Sequence, residues 1–270
     1  MLIGGHADAG TREPVIHPET GTIIMQTFGQ GYHLGVLRIE LDESSGDVTD
    51  IDGRLVVVDS NALAPHPQAQ KKIDRYRARY SEYYETIAAT EERMTRQYNL
   101  ESDLGNLFAD VLREAADTPI ALMPSGALRR DLPQGDVSVI SLLDAFPFTD
   151  RIAIVELSSG ALLDIVEQGL SLERGMLQVS GLEVRYDPSR PAGRRLLGIE
   201  VGGEPLRLDG TYRVATLEIL AQGGDAYTQF EQGRVESLSD ETFGDVLQAW
   251  FRSQGQVAVP ARGRLIPESR

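Results

Sequence analysis

Apolar and polar positions change their period along this chain, and each change predicts a different element. Residues 22–29 (TIIMQTFG) and 34–41 (LGVLRIEL) carry β-branched side chains in alternation, the pattern of strands. A third strand is expected around Arg54–Val58, within Asp47–Asp59. The Gly29-Gln30-Gly31 link lacks the lysine and following helix of a phosphate loop and reads as a hairpin turn, so the three strands are expected to form a β-meander. From Pro67 the period becomes helical. Ile73, Tyr76, Tyr80, Tyr83, Tyr84 and Ile87 fall on one face of a densely charged segment, predicting one helix over residues 67–96 with Pro67 in its first turn. A long polar helix is a natural connector. The expected organisation is therefore residues 1–60, a linker over 61–96 and a second domain over 97–270.

Beyond the linker, Leu104, Leu107, Phe108, Val111, Leu112 and Ala115 recur at helical spacing and predict a helix from Ser102 to Ala116. Strands are expected at 119–123, 151–157, 182–186, 196–201 and 212–216, with helices at 160–170 and 241–251. The tail over 255–270 reads as irregular, with a short strand at Gln256–Val259. Gln222-Gly223-Gly224-Asp225 predicts a tight turn with left-handed backbone. Strands and helices mix without regular βαβ alternation, so the fold class is α+β.

Composition narrows the function. The formal net charge of -15, from 26 basic and 41 acidic side chains, argues against binding a nucleic acid polymer, which needs a basic face. A small anionic ligand remains compatible, because a local arginine cluster overrides the global sign. The absence of cysteine excludes disulfides and thiolate metal sites. No apolar run reaches the ~18–20 residues of a membrane span. The opening Met1-Leu2-Ile3-Gly4-Gly5-His6 reads as a strand running into a glycine turn inside a domain, with no signal peptide, which suggests a piece of something longer.

Two stretches carry candidate chemistry. Between Met123 and Phe148 a Ser125-Gly126 turn leads to Arg129 and Arg130 and then to an aromatic corner, Phe146-Pro147-Phe148. A guanidinium fork suits phosphate and a phenyl ring suits a flat base, so the stretch reads as a nucleotide pocket. The plainer alternative is a surface arginine pair beside a core phenylalanine cluster. Near the N-terminus His6 and Asp8 are possible metal ligands, although one His and one Asp do not complete a site.

Several segments, taken together and in order, resemble the 5'-nucleotidase family, which includes bacterial nucleotidase/UDP-sugar hydrolases and animal ecto-nucleotidases. They are GGHAD (4–8), IIMQTFGQGYHLGVLRIELD (23–42), ESDLGNLFAD (101–110), SGALRRDLPQG (125–135), Pro147-Phe148, LQVSGLEVRYD (177–187), YRVAT (212–216) and GGDAY (223–227). The resemblance implies a mixed-sheet C-terminal nucleotide-binding domain, preceded by a linker helix and a β-meander remnant of a metallophosphoesterase sandwich. It implies a phosphoric ester hydrolase whose full-length form carries two divalent metals (Zn, Mn or Co). His6 would be one ligand, and Asp8 stands where the family commonly has His, Gln or Asn. The family's other metal-ligand segments are not in this sequence, so the chain alone is expected to bind no metal pair and to be inactive.

In the second domain the resemblance implies Arg129 against phosphate, Phe148 against the base and Asp225 on the ribose hydroxyls. Gly181 joins the substrate-binding set, and Arg130 could supply a second phosphate contact. Three positions depart from the family pattern: Pro124 where Asn is frequent, Ile219 where a second stacking Phe is frequent, and Leu100 where Arg is usual. The implied partners are a nucleotide or nucleoside and an N-terminal catalytic domain, and the implied location is periplasmic or extracellular. Two alternatives stay open: a non-catalytic binding module with a degenerate pocket, and a parent enzyme acting on cyclic nucleotides or sugar nucleotides.

Overall fold

The computed structural model describes residues 1–6, 10–29, 31–59 and 61–268. It divides into two units, Met1–Arg79 and Tyr80–Arg270.

In the first unit, Ile23–Met25 lies between Leu2–Ile3, which runs parallel to it, and Val15–Ile16, which runs antiparallel. His33–Leu41 and Val48–Val57 form a separate two-stranded hairpin, in register from His33↔Val57 to Leu41↔Val48. Asp42 closes its turn, accepting from the Ser44 amide at 2.8 Å, the Ser45 amide at 2.9 Å and the Ser44 hydroxyl. Those hydrogen bonds lower its carboxyl to about 2. The expected meander is thus replaced by two sheets. The strands Ile23–Met25 and His33–Leu41 belong to different sheets and do not pair as the expected hairpin, and Gln30 of the expected turn lies outside the described residues.

The expected helix over 67–96 is also shorter. It spans Pro67–Arg79 and is followed by a single 3₁₀ turn at Ser81–Tyr84 and a strand at Thr86–Thr90. The reason is tertiary. Thr86–Thr90 pairs antiparallel with Gly135–Ser138 and parallel with Gln256–Val257, and Ile87, Ala88 and Thr90 are buried there. Sheet pairing and burial outweigh helical spacing, which is a weak prior. Ile87 is 7% exposed whereas Tyr84 is 47% exposed, so the supposed stripe is not one face.

The second unit is built on a mixed five-stranded sheet in the order Leu177–Ser180, Ile120–Pro124, Thr211–Leu217, Arg151–Ser158, Arg234–Thr242. Ile120–Pro124 and Thr211–Leu217 are parallel, and the other neighbours are antiparallel. Side chains alternate between two cores, as the pleat requires. Ala121 and Met123 pack with Leu104, Phe108 and Leu112 of the helix Asp103–Ala116, and with Phe243 and Phe251 of the helix Phe243–Gln254. Ile120 and Leu122 join Leu162 and Ile165 of the helix Ser159–Leu170 on the opposite face. A smaller four-stranded sheet includes Leu182–Tyr186 and Leu196–Val201 as expected, together with Leu265–Pro267 in the tail expected to be irregular.

Local chemistry sets the helix starts. Ser102 caps Asp103–Ala116 by accepting from the Gly105 amide at 3.0 Å. Gln178, buried, reaches across from its strand: its Oε1 accepts from the Ser102 amide at 2.9 Å and its Nε2 donates to the Leu100 carbonyl at 3.0 Å. A Cβ on Gly105 would stand 2.3 Å from that Oε1. The LGN and LQVSG segments therefore belong to one buried joint.

Candidate nucleotide pocket

The strand Ile120–Pro124 runs into a 3₁₀ turn at Ser125–Ala127, and both ends of that turn are tied down. The Ser125 hydroxyl donates to the Tyr98 carbonyl at 2.7 Å, and the Arg129 amide donates to the Ala145 carbonyl at 2.8 Å. This delivers Arg129 to a cavity of about 350 Å³ at the ends of two central strands of the five-stranded sheet, where Pro124 and Leu217 line it. The aromatic corner splits by burial. Phe146 is 1% exposed and packs edge-on against Phe108 and Phe243, whereas Phe148, half-buried, turns into the cavity. Leu217 and Ile219 enter from the end of Thr211–Leu217. Asp225 arrives on the predicted left-handed turn, with Gly223 at φ 76° and Asp225 itself at φ 51°.

The Arg129 guanidinium carbon lies 5.2 Å from the centroid of the Phe148 ring, a cation–π stack. Arg129 has no ion-pair partner among the described residues, and neither does Arg174, which also lines the cavity. Asp150 supplies an acid at the same cavity. Its Oδ1 accepts from the Ile219 amide at 3.2 Å. Burial raises its carboxyl above the usual range, and the charges of Glu218 and Asp225 add to the effect, while the Ile219 amide opposes it. Glu218 is itself pinned by a bidentate pair with Arg151, both bonds 2.8 Å. The site thus presents two cations outside any described ion pair, two carboxylates and two aromatic side chains, Phe148 and Tyr98.

Of the residues expected to bind substrate, Arg129, Phe148 and Asp225 come together. Arg130 and Gly181 do not. Arg130 lines a separate surface cleft with Arg93 and Asp131, 4.0 Å from the Asp144 carboxylate, where the chain bends away from the cavity lined by Arg129. Gly181 sits at φ 76° between Leu177–Ser180 and Leu182–Tyr186, where a Cβ would come within 1.9 Å of the Pro119 carbonyl oxygen. Its role is to let two backbones meet. Pro124 and Ile219 both line the cavity, so two of the departures from the family pattern fall inside it. Leu100 does not, and the cavity is lined instead by Tyr98. His6 lies in the first unit, exposed, at φ 69°, and Asp8 is outside the described residues. Among the described residues no three His, Cys, Asp or Glu side chains gather where they could hold a metal ion.

Sequence reasoning missed Tyr98, Asp150 and Arg174. Asp150 was within reach of it, since it shares a face with Phe148 two residues earlier on an extended segment. Arg174 had no local signal.

The family profile described as "5'-nucleotidase, C-terminal domain" matches residues 85–232, more than half of the chain. The chain belongs to the 5'-nucleotidase C-terminal domain family. The matched span carries the whole pocket. The sequence is 28% identical over 251 residues to the trifunctional nucleotide phosphoesterase protein YfkN of Bacillus subtilis, covering 86% of this chain and 17% of that protein. It is 24% identical over 290 residues to the 5'-nucleotidase of Bos taurus, covering 96% of this chain and 48% of that one. The crystal structure of a 5'-nucleotidase precursor from Thermus thermophilus superposes with a TM-score of 0.85 at 26% identity, covering 98% of this chain and 57% of the other. The chain therefore spans little more than half the length of these relatives, or less. The α+β architecture is that of the 5'-nucleotidase C-terminal domain.

Proposed function

We propose that this 5'-nucleotidase C-terminal domain is the substrate-binding part of a metal-dependent phosphohydrolase acting on nucleotides. The observation that carries the reading is an arginine with no ion-pair partner among the described residues, stacked on an aromatic ring in a cavity that also holds Asp225. Arg129, supported by Arg174, takes the phosphate through charge-assisted hydrogen bonds. Phe148 supplies the platform for the base, either by exchanging its guanidinium neighbour for the ring or by stacking through it. Asp225 accepts from ribose hydroxyls.

Hydrolysis in such an enzyme draws on two metals that activate water and neutralise charge. The residues around this pocket do not fit a metal pair, and the only described ligand candidate, His6, lies in the other unit. Our reading is that the metals are held by residues outside the pocket, and that this chain binds substrate without turning it over. The family resemblance further supports a location outside the cytoplasm. Among the described residues no helix is long and apolar enough to cross a membrane.

Pro124 and Ile219 favour a second reading, a binding module whose pocket has drifted from an ordinary nucleoside monophosphate. Calorimetric titration of the chain with AMP and adenosine separates the two. The first reading expects saturable AMP binding, tighter than adenosine, and a loss of about tenfold or more in Arg129→Ala. Adenosine bound as tightly as AMP, with Arg129→Ala silent, would leave the module. A manganese-supplemented phosphate-release assay on the same chain is expected to stay at the buffer level.

A further inference from the structure

Asp150 is the one charged cavity residue for which the phosphate, base and ribose contacts leave no task. It stands two residues after Phe148 and lines the same cavity, so a base carried on that ring shares the cavity with its carboxylate. One of its oxygens is anchored by the Ile219 amide at 3.2 Å, and it makes no ion pair among the described residues, although two arginines line the same cavity. An ionised carboxylate accepts and never donates. We propose that Asp150 is a specificity-determining residue that selects a base whose edge offers two adjacent N–H donors, the edge of a 2-amino-6-oxopurine such as guanine. The inference rests on the nucleotide reading above.

The chemistry of the other bases supports the choice. Adenine and cytosine each set an amino donor beside a ring-nitrogen acceptor, and uracil flanks its single N–H with two carbonyls. Each of these turns a lone pair toward the carboxylate. Guanine alone among the common bases presents a ring N–H next to an amino group, so both oxygens or one shared oxygen can be satisfied. A site that must pair a buried polar group discriminates strongly against an analogue that leaves it unpaired. Asp150 is half-buried, which limits the water that could satisfy an unpaired carboxylate oxygen and strengthens that discrimination.

The test uses the chain itself, titrated calorimetrically with GMP, AMP and ribose 5-phosphate, in wild type and Asp150→Asn. An amide keeps the oxygen that accepts from Ile219 and replaces the other with a donor, so the fold is retained and circular dichroism checks it. The expected result is GMP bound at least about tenfold tighter than AMP in wild type. In Asp150→Asn the preference collapses or reverses, since an amide offers adenine a donor and an acceptor together, and ribose 5-phosphate is unchanged. Equal wild-type affinities, or an unchanged ratio in Asp150→Asn, would overturn the base selection while leaving the nucleotide reading standing. A loss of ribose 5-phosphate affinity matching that of GMP would assign Asp150 to the sugar and overturn it equally. If neither nucleotide binds, the underlying reading fails first and this inference with it.

Discussion

Replacing Gly181 with alanine separates a backbone role from a ligand role at a position the family motif makes conspicuous. The residue holds φ 76°, and a Cβ there would sit 1.9 Å from the Pro119 carbonyl oxygen and 3.2 Å from the Arg113 side chain. The left-handed backbone alone costs an L-residue about 1–2 kcal/mol. The carbonyl cannot retreat freely, because Pro119 precedes Ile120–Pro124, whose register with Leu177–Ser180 runs Ser180↔Ala121 and Val179↔Leu122. Relief of the clash shifts two buried strands, an overpacking penalty of about 1–3 kcal/mol. The total expected loss is about 2–5 kcal/mol. Urea unfolding followed by fluorescence of Trp250, the single tryptophan and a residue of the second unit, reads it directly. Gly203→Ala is the control: φ is 85° but nothing stands within 4 Å, so it should lose only the conformational part. A Gly181→Ala loss no larger than that of Gly203→Ala would refute the steric argument. A stable Gly181→Ala protein with abolished nucleotide binding would restore Gly181 as a ligand residue.

Arg174→Ala should weaken AMP about three- to tenfold, whereas Arg130→Ala, paired toward Asp144 in another cleft, should change it less than about twofold; calorimetry measures both. Asp150 also predicts a pH dependence. Its carboxyl is raised in the folded chain, which therefore holds a proton where the unfolded chain has released it. The associated stability is complete below the ordinary carboxylate range and falls as pH rises through the raised value, and Asp150→Asn should flatten that slope in pH-resolved urea titrations. Guanosine, which lacks the titrating phosphate, should conversely bind more weakly as pH falls through the same window, with Glu218, Asp225, Arg129 and Arg174 as the neighbouring charges.

Much of the second unit is legible from apolar spacing, because its elements bury regular faces. The helix Asp103–Ala116 and the strands Leu182–Tyr186 and Leu196–Val201 are examples. The first unit is less legible. Its strands are short and largely exposed, so the choice between one meander and two sheets depends on pairing that no local pattern encodes. Thr86–Thr90 reads as helix for a similar reason, since its strand identity comes from partners near 137 and 256. In the pocket, Arg129, Phe148 and Asp225 are identified by family resemblance, and the geometry brings them together. Arg130 fails as a companion because adjacency in sequence is not adjacency of side chains, and Arg174 escapes notice because only the tertiary fold brings its loop to Phe148.

The claim that the cavity at Phe148 is a nucleotide-binding site is tested most directly by calorimetric titration of the chain with GMP, wild type against Phe148→Ala, with circular dichroism confirming the fold of both. Stacking on one aromatic face is worth about 1–3 kcal/mol, so the variant should bind about 5- to 150-fold more weakly at unchanged stoichiometry. Wild-type chain giving no saturable heat, or Phe148→Ala binding GMP as tightly as wild type, would contradict the account.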